Sequence, residues 1–207
     1  KYKVIPVSWT NRKEGISKFH IKEMRNRYFF TILYIFLEKI LPLRKDQAIF
    51  RPDWGIDFTY FVFNHLLISV LLIITNGFAE TLFGWAVNDN FQNIIQSTPI
   101  WAQVLLLILA ADLVLYWNHR AFHEIPALWK FHAVHHSTEY LDWLSGSRSH
   151  VVYMVCERCL VMVPLYLLGA SKEALDIYVA IAAFQAVYIH SNMKAEIGFI
   201  NTLFVDV

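Results

Sequence analysis

Seven of the nine histidines fall between residues 119 and 190, in the order His119, His123, His132, His135, His136, His150 and His190. In the run NHRAFH, His119 and His123 stand four apart, so on a helix both imidazoles share one face within reach of a single ion. In HAVHH, His132, His135 and His136 repeat spacings of three and four, with one of the adjacent pair angled toward a second ion. Five such side chains invite two metals. Imidazole suits zinc, copper, iron and nickel alike, so the ligand type leaves the element open.

Two other chemistries compete for the same residues. A membrane zinc hydrolase would use Glu124 or Glu139 as its base, yet no histidine stands at the position a His-Glu-x-x-His pattern requires after His123. A transition-metal transporter would spread its ligands through the depth of several spans, whereas these concentrate at one membrane face. Asp112, Tyr116, His119 and His123 follow steps of four, three and four along one helical stripe, which aims Asp112 and Tyr116 at the same site. A charged aspartate inside a span costs roughly 2.5 to 3.5 kcal/mol on insertion scales. It therefore reads either as a carboxylate orienting His119 or Tyr116, or as a packing hydrogen bond between helices.

The elements that must hold these residues are hydrophobic. The chain has 207 residues, 57% of them hydrophobic, with a mean hydropathy of +0.40, which excludes an ordinary soluble domain. Apolar runs over residues 58–75, 99–117, 151–168 and 174–189 predict about four membrane-crossing helices. Trp101 and Trp117 are about 24 Å apart at helical rise, close to the spacing of two interfacial aromatic belts. The connector 169–172 predicts an antiparallel hairpin of the last two helices. Asn64 and His65 interrupt the first run, and His65 reads at least as well as a helix-packing group as a functional one. Glu157 and Arg158 in the third run should pair or face a cavity. The cysteines, Cys156 and Cys159, read as two buried thiols.

Residues 1–27 hold eight Lys or Arg against Glu14 and Glu23, and residues 14–28 pattern as a basic amphipathic helix on a membrane surface. Residues 1–50 thus form an interfacial lead-in, and the absence of a nucleic-acid-binding motif excludes that partner. Arg44, Lys45 and Arg51 before the first span, with Arg120, Lys130 and Arg148 after the second, orient the chain. They predict that residues 119–150 form a cytosolic cap in an all-α, multi-pass integral membrane protein, to which a returning hairpin would bring His190.

Together, residues 112–123 (DLVLYWNHRAFH), 128–137 (LWKFHAVHHS) and 147–150 (SRSH), with a fainter match in 51–64 (RPDWGIDFTYFVFN), resemble the fatty acid hydroxylase and sterol desaturase superfamily, in its bacterial sterol-desaturase-like branch, which is also akin to alkylglycerol monooxygenase. The resemblance implies a single membrane domain over residues 1–207 that holds two iron ions. It implies O2 as co-substrate and an external electron donor of the cytochrome b5 or ferredoxin type. The activity implied is hydroxylation or desaturation of a C–H bond in a lipid, whether sterol, fatty acyl or alkylglycerol-like. Carried over residue by residue, it makes His119, His123, His132, His135 and His136 iron ligands, with His190 as a sixth. His150 joins them, although Val151 follows where many relatives carry proline. The superfamily has another histidine-rich cluster near its C-terminus, so the reading frame is expected to continue past Val207 with a further H-x-x-H-H motif.

Overall fold

The computed structural model describes residues 29–194, and the expected amphipathic helix over 14–28 lies outside them. Every regular element among the described residues is helical, apart from one isolated bridge between Pro42 and Met193. Helix α1 covers residues 29–40. It is followed by α2 (Trp54–Phe83), α3 (Asp89–Ser97), α4 (Ile100–Glu124), α5 (Pro126–His132), α6 (Val151–Leu168) and α7 (Lys172–Tyr188), with short 3-10 turns at Gly84–Ala86, His135–Ser137 and Ser145–Ser147.

The apolar runs become helices, but the boundaries of two of them move. The run at 58–75 extends to the 30-residue α2, and the run at 99–117 continues through both histidines of NHRAFH to Glu124. Pro126 at the first turn of α5 then restarts the helix after Ile125, in extended backbone, breaks the previous one. Helices α4 and α6 are each long and apolar enough to cross a membrane, two of the expected four. Leu105, Leu109 and Leu113 form an outward stripe on α4, about half exposed or more, where a soluble protein would carry polar side chains.

The expected α6–α7 hairpin is replaced by a different packing. Helix α6 packs on α2 and α4, and α7 packs chiefly on α4, which lies between them. The connector explains this. Gly169 ends α6 at a left-handed φ of 56°, and Ser171 caps α7 through Ala174 N–H. The Ser171 N–H also donates to Gln103 Oε1 at 2.8 Å, which docks the turn on α4. The core under this turn joins Ile95, Val104, Leu107, Ala111, Leu165, Ala170, Ala174 and Tyr178. Its alanines let α4 and α7 backbones approach.

The start of α2, the end of α4, the start of α6 and the end of α7 all meet at one end of the bundle. Arg51 before α2 binds Asp142 in the segment leading to α6, Tyr153 of α6 reaches His119 of α4, and His190 after α7 reaches His135.

Candidate metal centre

Four imidazoles converge where α4 ends. His119 and His123 come from its last two turns, His132 from the end of α5 and His136 from the 3-10 turn after it. Their ligand nitrogens all lie within 4.8 Å of one another. The His119 and His123 Nε2 atoms are 2.9 Å apart, and the His132 and His136 Nε2 atoms 3.0 Å. His132 is 1% exposed, whereas His123 and His136 open outward. Burial, with four neighbouring histidines adding to it, pushes the His132 imidazole down to about 3. A ring held neutral at pH 7 keeps a lone pair for a metal.

His135 turns away from this quartet toward His190, with Nε2 atoms 3.1 Å apart. The Nδ1 atoms of this pair lie against backbone carbonyls, His135 on Arg148 O at 3.0 Å and His190 on Ala186 O at 2.8 Å. Each Nδ1 therefore carries the proton and each Nε2 presents a lone pair. Two lone pairs facing at 3.1 Å repel unless one proton or one cation stands between them. Burial, and then the neighbouring His190, holds His135 down at about 4, so the free rings do not readily supply that proton. The donor set fits a nitrogen-bound transition metal. The quartet and the pair are adjacent, since the His135 ring lies 5.5 Å from that of His132 and 5.4 Å from that of His136.

Aromatic side chains wall the quartet. Buried Phe122 sets its edge against His132 and Tyr153, and Trp129 leans over His123 and His136 at 5.3 and 5.6 Å. The Tyr153 hydroxyl is 3.4 Å from His119 Nδ1.

The remaining sequence-derived site residues stand apart from these two groups. His150 caps α6, its Nδ1 accepting from Val152 N–H at 3.1 Å while its ring lies on Phe131. The Tyr116 hydroxyl accepts from Arg120 Nη1 at 3.3 Å on an exposed face. Asp112 is exposed on α4. Glu124, the candidate hydrolytic base, is tied to Arg120 Nε at 2.8 Å on the surface.

Beneath the histidines lies a group that spacing did not reveal. Arg51 donates through Nε and Nη2 to both oxygens of Asp142, each at 2.8 Å, and through Nη2 to Asp57 at 2.7 Å. Arg148 Nε donates to the other Asp57 oxygen. All four side chains are buried. Arg51 and Arg148 were two of the cations used to orient the chain. Neutralised inside the protein, they leave that inference to Arg44, Lys45, Arg120 and Lys130. The available signal was an acid and a base of opposite charge just before two of the apolar runs, Arg51 and Asp57 at the first and Asp142 and Arg148 at the third.

The fatty acid hydroxylase sequence profile matches residues 104–206, a span that includes all the histidines of both groups. The chain belongs to the fatty acid hydroxylase family. It is 35% identical over 106 residues to the ornithine lipid hydroxylase of Rhizobium tropici, a match covering 51% of this chain and 32% of that protein. To the alkylglycerol monooxygenase of Danio rerio it is 29% identical over 93 residues, covering 45% of this chain and 20% of that protein. The matches thus span about a third and a fifth of these hydroxylase-family relatives. No solved structure matches the chain.

Proposed function

We propose that this chain carries the metal-binding core of a multi-pass membrane oxidoreductase that hydroxylates or desaturates a lipid, using O2 and two iron ions. The observation that carries the reading is the convergence of four imidazoles within 4.8 Å at the end of a helix apolar enough to cross a membrane. The family match and the two lipid-oxidising relatives point the same way. In this reading His119, His123, His132 and His136 hold one ion, and His135 with His190 contributes to holding the other. Bound iron would supply the activation of O2 that no side chain can perform.

The rest is assigned to the chain's own residues. The Tyr153 hydroxyl fixes the His119 ring, and the Arg148 carbonyl fixes the tautomer of His135. Phe122 excludes water from the inner side of the quartet, while the outward-facing His123 and His136, flanked by Trp129, leave an approach for substrate. Asp112 and Tyr116 remain candidates for steering substrate or protons along the same face of α4, and His150 a candidate ligand through its Nε2. Helices α2, α4, α6 and α7 would cross the membrane, with the histidine end on the cytosolic side, where an electron-transfer protein can dock. The hydrolase alternative would need as its base Glu124, which is paired with Arg120 on the surface, or Glu139.

The test is metal content of the full-length protein purified under iron-replete conditions. Two irons per chain, lost in His132→Ala, together with an O2-dependent change in lipid mass, are expected. Zinc that persists through iron-replete growth would overturn the proposal.

A further inference from the structure

We infer that residues 142–148 form a cradle for the His135/His190 pair, with Gly146 and Ser145 as positioning residues for the second metal position. This rests on the metal-centre reading proposed above. Both ends of the segment are tied to the start of α2. At one end Asp142 is held by Arg51, and at the other Arg148 is held by Asp57. Asp142 Oδ1 also accepts from Leu144 N–H at 3.0 Å and Ser145 N–H at 2.9 Å, which folds the segment into a tight turn. Asn64 Nδ2 of α2 donates to Ser147 O at 2.8 Å, fixing it just before Arg148.

Three contacts pass from this anchored turn to the histidine pair. Arg148 O receives His135 Nδ1–H at 3.0 Å. Ser145 Oγ lies 3.3 Å from His190 O while donating to Asp142 O at 2.8 Å. Gly146 lies directly under the His190 ring, where a Cβ would stand 2.8 Å from Cγ and 2.9 Å from Nδ1. The backbone of Gly146 is outside the left-handed region, so its φ would accept alanine and only the imidazole above it objects. Buried ion pairs contribute little net stability, because desolvation offsets their attraction, and their best-attested use is to select one arrangement. Asp57 and Asp142, with Asp53 3.5 Å from Arg148 Nη1, offset both arginine charges, so the anchor carries no net positive charge toward a cation at the pair.

The experiment is anaerobic titration of metal-stripped full-length protein with Co(II), followed by absorbance, for wild type, Gly146→Ala, Ser145→Ala and Gly169→Ala. Two uptake steps are expected in wild type. Gly146→Ala should keep the first step unchanged, which also reports a folded chain, and weaken the second by about ten- to a hundredfold, as for other groups that orient metal ligands. Gly169→Ala strains the opposite end of the bundle and should lower the melting temperature while leaving both steps alone. If Gly146→Ala fails to fold, Ser145→Ala decides, with a weakened second step expected. A wild type that takes up fewer than two ions would overturn the metal-centre reading and this inference with it. Two normal steps in both the Gly146 and Ser145 variants, or an equal loss in Gly169→Ala, would overturn this inference alone.

Discussion

A tyrosine hydroxyl 3.4 Å from His119 Nδ1 is the smallest feature of the site with a separable effect. Tyr153→Phe keeps the ring against Phe122 and His132 and removes only the hydroxyl. It should retain both metals, shift their absorption spectrum, and lower turnover by about tenfold or more with little change in KM. Identical spectra and turnover would show the hydroxyl to be a bystander. Asp112 makes the contrasting case. It sits one turn before Tyr116 on the stripe that leads to the histidines, yet it is exposed. Asp112→Asn leaving metal content and turnover intact would remove it from the site. Side-chain spacing located the histidines because metal ligation demands a residue type. It could not locate Gly146, whose contribution is the absence of a side chain, nor Tyr153, one of ten tyrosines.

Among the elements, α1 has the least expected role. The sequence places it within the interfacial lead-in of residues 1–50. The structure uses Glu38 to grip the tail beyond His190, its Oε1 accepting Asn192 N–H at 3.0 Å. Asn192 then closes on Arg44 from both its amide groups. Burial raises the Glu38 carboxyl from 4.5 to about 7. A folded group that holds its proton longer than the unfolded chain stabilises fully below 4.5 and loses that contribution as pH rises through 7. Glu38→Gln should therefore flatten the fall in melting temperature between pH 4.5 and 7, whereas parallel profiles would refute the assignment. At the far end, a Cβ on Gly169 would lie 2.2 Å from the Gln92 side chain, which caps the α6 carbonyls of Tyr166 and Leu167. Gly169→Ala should cost more than about 1 kcal/mol, since the left-handed φ adds strain to the clash. Chemical denaturation would measure it. The four long helices followed from hydropathy, but the short α3 and α5 and the order of packing did not. Whether α6 neighbours α7 or α4 is decided by Gln103 and Ser171 meeting across 68 residues, which no local pattern encodes.

For the molecule as a whole, one end gathers the chemistry and the outward faces are left apolar. Trp101 and Trp117, 70% and 58% exposed, stand at the start of α4 and two turns before its end. If the histidine end is cytosolic, a cysteine placed at exposed Glu139 should react with an impermeant maleimide only after cells are opened, and one placed at exposed Asp89 should react before. The reverse pattern would invert the topology. The ion pairs beneath the histidines also have a consequence in time. Arg51 meets Asp142, and Asp57 meets Arg148, across 91 residues each. At a synthesis rate of about 5 to 20 residues per second, roughly 5 to 18 seconds separate the making of each partner. His190 follows later still. Until then the early histidines emerge without their neighbours, so on the two-ion reading proposed above the second ion can be captured only by a chain in which α7 has already been made.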